Sequence, residues 1–305
     1  MTPGKRPVFP LVLMCLVATT CASLRRVTGL PTAPPHPTPR TAIVVSVLSD
    51  SIYLIDPESG VIKTLVSGLV NFQSGYASWA PDHRQLAYGN AGIFVSDAGT
   101  GKTRTVVAGQ LLSMPAWSPD GKQLLYGDGV SLWLTSVARP APVQVPLPKT
   151  MAPLAMDWAP SKAIAFEGLQ VDCNQPGPCL STNISDIWRT GADGSALAKL
   201  TDVGRAENPR WSRDGSQILF VRHLLVHKLP YTQIWVVKSN GTGLRRLTDA
   251  TGMLAAAWSP DGKQIGMIST GTQPNSLQVW IENADGSNLH PVGDPLLGSS
   301  ATIDW

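Results

Sequence analysis

An all-β fold is predicted: a six-bladed β-propeller of four-stranded antiparallel blades, the ring closed by the C-terminal strand pairing in the first blade. The first observation is a tryptophan series, Trp79, Trp117, Trp158, Trp211, Trp258 and Trp305. Around it run SWAPDHRQLAY, AWSPDGKQLLY, DWAPSKAIAF, RWSRDGSQILF, AWSPDGKQIGM and a last copy, IDW, that stops at its tryptophan. Each full copy reads as strand, tight turn, strand, because Pro presets φ and Asp-Gly supplies the turn between two β-prone runs. A second aromatic series, Tyr53, Phe94, Trp133, Trp188, Trp235 and Trp280, is the next observation; each member sits in a later strand that leads to a Gly- or Pro-containing turn. A four-stranded unit (a to d) repeating roughly every 40 to 50 residues is a propeller signature, because a lone blade cannot cover its own apolar faces and a closed ring can. Finally, the first blade has strands b, c and d near 42–68 but no WSPDG-type strand a, and ATIDW at 301–305 supplies it. Sealing the ring this way leaves no orphan edge.

Taken in chain order, residues 1–22 read as an export signal. Lys5 and Arg6 precede an apolar stretch from Val8 to Ala18, followed by the small residues Thr19 to Ser23. The apolar run is too short for a permanent bilayer span, which takes roughly 20 residues. Cleavage either follows Ala22, releasing the chain, or precedes Cys21, whose thiol then carries lipid; Ala18-Thr19-Thr20-Cys21 resembles a bacterial lipobox. Residues 23–41 form a Pro/Thr-rich linker, and PTAPPHPTPR favours extended polyproline II, a semi-rigid spacer that suits a tether. The propeller occupies 42–305. The expected product is exported to the cell envelope, as a membrane-anchored lipoprotein or a secreted monomer.

Composition agrees. With 43% hydrophobic residues the chain can bury a large core, and 28 Gly with 26 Pro indicate many turns. The formal charge of +3 falls to +1 when Lys5 and Arg6 leave with the signal, so no basic field exists to attract nucleic acid.

The repeats resemble those of the TolB-type propeller, in which WSPDGK precedes an apolar strand and an IW- or IY-type strand precedes a DG turn. The best copies are at 117–126 and 258–267, and the resemblance covers the propeller region. Departures are Ser161-Lys162 in place of Asp-Gly, and His83 in place of the turn glycine. Full TolB proteins carry an N-terminal domain ahead of the propeller, where this sequence has its spacer. The resemblance implies an extracytoplasmic binding propeller.

The spacing from each second-series aromatic to the next tryptophan is nearly constant, 23 to 26 residues. The reverse spacing, across strand b and the b–c connection, is 15 and 16 in blades two and three but 30, 24 and 22 in blades four, five and six. The extra residues fall on three neighbouring blades and one face, where they predict a raised rim; loops grown on a rigid scaffold commonly carry binding. Neutral insertion is the competing explanation. In blade four the insertion holds Cys173 and Cys179, which an oxidising compartment would join as a disulfide. In blade five, Arg222, His223, His227, Lys228 and Tyr231 could engage a peptide or sugar, or remain solvated. His223 and His227 lack the HExxH context of a metal pair.

The residue before each strand-a tryptophan faces the channel. Asp157, Arg210 and Asp304 occupy three of these positions, either as an ion-paired lining or as caps between blades. No nucleophile elbow occurs, AGTGKT at 98–103 lacks the first phosphate-loop glycine, and Asp82, Asp120, Asp214 and Asp261 repeat as turn residues. The sequence therefore predicts a binding or scaffold propeller for a protein, peptide or glycan, without cofactor or metal. The alternative is a propeller hydrolase or lactonase with a channel metal, for which Asp157, Asp304, Glu207 and Asn208 are the available ligands. A relative of the propeller that gates prolyl peptidases would share the fold, but the hydrolase domain has no counterpart here.

Overall fold

The fold comes from a computed structural model that describes residues 42–48, 51–69, 76–109, 113–172, 180–226, 229–248 and 252–305. The expected signal (1–22) and linker (23–41), with Cys21, Cys173, Cys179, His227 and Lys228, lie outside these residues. The strands form six four-stranded antiparallel sheets.

Blade one contains β1 (Ile43–Val47), β2 (Ile52–Ile55) and β3 (Ile62–Val66), and its innermost strand is β24 (Ala301–Asp304). Val44 pairs with Asp304 and Val47 with Ala301, so the two ends of the described chain close the ring. Blade two follows as β4 (Ala77–Trp79), β5 (Gln85–Gly89), β6 (Gly92–Asp97) and β7 (Thr103–Ala108). Blade three is β8 (Ser113–Trp117), β9 (Gln123–Gly127), β10 (Leu132–Ser136) and β11 (Val143–Val145). Blade four is β12 (Met151–Trp158), β13 (Ile164–Asp172), β14 (Leu180–Thr190) and β15 (Ala198–Lys199). Blade five is β16 (Ala206–Trp211), β17 (Gln217–Val226), β18 (Leu229–Lys238) and β19 (Arg245–Arg246). Blade six is β20 (Met253–Trp258), β21 (Gln264–Thr270), β22 (Ser276–Asn283) and β23 (His290–Leu297).

The core is divided into six apolar clusters, each between neighbouring blades, and the aromatic series explain the division. Every cluster holds one first-series tryptophan, buried, and one second-series aromatic, half-buried, from the same blade: Trp79 with Phe94, Trp117 with Trp133, and so on to Trp305 with Tyr53. Each pair is a wedge against the preceding blade. A propeller core exists only between blades, so these large side chains do the work of a central core, and losing one costs about 3–5 kcal/mol.

The turn chemistry is equally regular. In blade three Ser118 donates to Asp120 (2.7 Å) and accepts the Gln123 N–H (2.9 Å), while Gly121 takes a left-handed φ of 68°. Blades five and six repeat this with Ser212–Asp214–Gln217 and Ser259–Asp261–Gln264. Where the motif departs, His83 and Lys162 adopt the glycine conformation, at φ 54° and 68°. The seam between blades six and one is tight: a Cβ on Gly60 would meet the Gly293 backbone at 2.8 Å, and one on Gly293 would meet Gly60 O at 2.8 Å.

Candidate functional site

Two regions distinguish this ring from a plain propeller: the axis of the channel and the crown of blades four to six.

Along the channel, the positions before the tryptophans do two jobs. Asp304 Oδ2 accepts the Trp79 N–H, and Asp157 Oδ2 accepts the Trp211 N–H, both at 2.7 Å. Each carboxylate thus caps the innermost strand of the following blade. Arg210, between them and 8% exposed, donates through Nη1 to the carbonyls of Met156 (3.4 Å) and Pro209 (3.2 Å). Among the described residues it makes no ion-pair contact with either aspartate; the three side chains are gathered in one cavity without pairing. Burial pushes the Asp157 carboxyl up to about 6, with the nearby Arg210 charge opposing, and raises Asp304 for the same reason.

Above Arg210 the channel holds groups that the spacing arguments did not single out. The Arg210 guanidinium lies 5.9 Å from the centre of the Tyr76 ring. The Tyr76 hydroxyl donates to Asn208 Oδ1, whose amide donates to Leu254 O (3.2 Å). Asn208 stands in a bulge of β16 at φ 55°, and its backbone N–H points to Glu167. Glu167 is 6% exposed; burial first, and then the charge of Glu207, pushes it up to about 8. Glu207 itself pairs with His223, Oε2 to Nε2 at 3.0 Å. Glu167 had a visible signal, a charge inside the apolar run IAFEG, but its meaning depends on the bulge opposite it.

On the crown, the extra residues of blades four and five extend the strands themselves. The b and c strands are 9 and 11 residues long in blade four and 10 and 10 in blade five, against 5 and 5 in blade three. Four or five extra residues at about 3.3 Å each lift the hairpins roughly 15 Å above the ring. The pairing of β17 with β18 runs unbroken from Gln217–Lys238 to Val226–Leu229, which fixes the faces. Arg222 and Tyr231 lie on the side of Phe220 and Trp235, toward blade four, and the Arg222 guanidinium stacks 4.5 Å from the Trp235 ring centre. His223 lies on the opposite side with Val221 and Ile234, toward blade six. The described blade-five candidates are therefore divided between the two faces of the hairpin.

Polar bonds tie blade four to the crossover that enters blade five, and in one place to blade five itself. Buried Asp186 accepts from Thr201 Oγ1 and the Val203 N–H (both 2.8 Å) and pairs with Lys199 (3.1 Å). Ser185 N–H donates to Gly204 O (3.1 Å), and the Arg189 guanidinium donates to Ser239 O (3.0 Å). The hydrolase ligands do not converge: Asp157 and Asp304 line the cavity at one end, Glu207 meets His223 beyond Arg210, and among the described residues no three His, Cys, Asp or Glu gather to hold a metal ion.

These features define a six-bladed β-propeller with a polar, partly plugged channel and one raised sector. Within that class the backbone is similar to TolB of Acinetobacter baumannii, at a TM-score of 0.69 and 17% identity over 87% of this chain and 66% of that one. A TolB-type protein of Agrobacterium tumefaciens gives 0.65 and 20%, covering 86% and 91%. An oligogalacturonate lyase in complex with manganese gives 0.52 and 16%, covering 80% and 70%. At these identities the likeness is one of fold. The chain matches no protein-family model and no curated protein.

Proposed function

We propose that this chain is an extracytoplasmic binding or scaffold propeller that engages a protein, peptide or glycan of the cell envelope through the raised hairpins of blades four to six. The observation that carries the reading is the lengthened b and c strands of blades four and five, whose ladder is unbroken in blade five. Strands of 9 to 11 residues rooted in blades joined by these bonds present a preorganised surface, which lowers the entropy cost of binding. A Cys173–Cys179 disulfide would close the tip of the blade-four hairpin.

Ala42, whose carbonyl accepts the Trp79 indole N–H (3.1 Å), lies at the a–b-turn end of the ring, opposite the hairpins.

The test replaces residues 170–182 with a tight turn, sparing Ser185 and Asp186, which tie blade four to the crossover. Capture of a specific envelope component by the wild-type chain should be lost while the melting temperature stays unchanged. Equal capture by both proteins would refute the reading.

A further inference from the structure

Arg222 is the sixth residue of β17, one beyond the five-residue length of β9, the matching strand of blade three, and so begins the raised part of the blade-five hairpin. Gln233 of β18 stands directly opposite it, and two residues further out Leu224 faces Tyr231. All four lie on the face of the hairpin turned toward blade four, beyond Phe220 and Trp235.

Two polar groups on this face are unmatched. The Arg222 guanidinium is half-buried and held by its stack on the Trp235 ring, 4.5 Å from the centre, yet among the described residues it has neither an ion-pair partner nor a hydrogen-bond acceptor. Gln233 is 8% exposed, and its amide has no hydrogen-bond partner among the described residues either. Of these atoms only Arg222 Nε is sealed from solvent, so both Nη groups and the Gln233 amide remain within reach of a ligand.

Acids on the neighbouring strands are engaged elsewhere. Glu207 pairs with His223 on the opposite face of the hairpin (3.0 Å). Asp186 is taken by Lys199, Thr201 and the Val203 N–H, and Glu167, 6% exposed, accepts the Asn208 N–H. A half-buried cation without an anion and a buried amide without a partner both cost stability, and a cation–π stack offsets only part of that cost.

We propose that Arg222 and Gln233 form a carboxylate site for an acidic side chain of a peptide bound on the blade-four face of this hairpin. The two Nη groups can each donate to one carboxylate oxygen, and the Gln233 amide adds a further donor to the same group. The Trp235 stack fixes the guanidinium plane before binding, which lowers the cost of ordering it. Leu224 and Tyr231 supply apolar surface for the residue next to the acid. A sugar would need several donors and acceptors around its hydroxyls, whereas this face sets one guanidinium and one amide beside Leu224 and Tyr231, which favours a peptide. The inference names a ligand for the proposed crown and rests on that reading.

The test titrates the full-length chain by calorimetry at pH 7.5 with the blocked peptide acetyl-Leu-Glu-Leu-amide, its Gln analogue and methyl glucuronide. Saturable binding of the Glu peptide is expected, roughly tenfold to a hundredfold tighter than the Gln analogue, the value of charge-assisted bonds. Arg222→Gln should bind the two peptides alike. Arg222→Lys keeps the charge and the fold but loses the planar fork, and should weaken the Glu peptide roughly tenfold, so it decides the matter if Arg222→Gln fails to fold. Absence of saturable binding by the wild-type chain, equal affinity for the Glu and Gln peptides, affinity unmoved by Arg222→Lys, or tighter binding of the glucuronide would overturn the proposal. The hairpin replacement tests the crown by partner capture and these titrations need no partner, so the two failures are separable.

Discussion

Glu167 gives the most quantitative handle on the channel. Its carboxyl is pushed from an ordinary value of 4.5 up to about 8 by burial and by Glu207, and it accepts the Asn208 backbone N–H. Between those two pH values the unfolded chain has lost the proton and the folded chain still holds it. The unfolded state therefore binds fewer protons, and stability falls as pH rises across the window, then levels off above about 8. At about 1.4 kcal/mol per pH unit, ionising this one group in the folded state costs about 3–5 kcal/mol. Glu167→Gln keeps an oxygen for the Asn208 N–H and never ionises. Urea denaturation followed by tryptophan fluorescence should find the two proteins similar at pH 5 and the variant more stable by about 3 kcal/mol at pH 8. A stability difference that stays constant from pH 5 to 8 would refute the account of Glu167 as a buried, proton-holding group.

Other expectations follow from the seam and the turns. Deleting residues 301–305 removes a whole strand, the buried Trp305 and the Asp304–Trp79 bond, so calorimetry should show melting at least about 10 °C lower; an unchanged melting temperature would contradict closure through β24. Lys162→Gly relieves a left-handed residue and should stabilise the fold by about 1 kcal/mol in urea, whereas His83→Gly should show no comparable gain because it also removes the stack on Trp79. Equal gains at both sites would show that the stack contributes nothing.

Much of the architecture was legible because the two aromatic series are the interfaces themselves: Trp79 and Phe94, or Trp211 and Trp235, mark where one blade wedges against another. Closure could be read from a first blade that lacks a strand and a last copy that ends at Trp305. The location of the enlargements was also readable from spacing. Their form was not, since nothing in RHLLVHKLPY distinguishes a loop from a hairpin whose ladder runs to Val226 and Leu229. The channel was partly readable. The position before each tryptophan drew attention to Asp157, Arg210 and Asp304, but whether they pair or cap depends on sub-ångström placement across blades. Glu167, Tyr76 and Asn208 come together only through the bulge in β16, where Asn208 takes a left-handed conformation. His83 stood out as a misplaced turn residue, and its stack on Trp79 became visible only in three dimensions.

The central claim is that partner binding belongs to the crown. Photo-crosslinking side chains placed at Ile184 and Tyr231 on the hairpins, and at Glu58 and Lys122 on the turn face, test it most directly. The account predicts adducts with one and the same envelope partner from Ile184 and Tyr231, and adducts with that partner from Glu58 and Lys122 alone would contradict it.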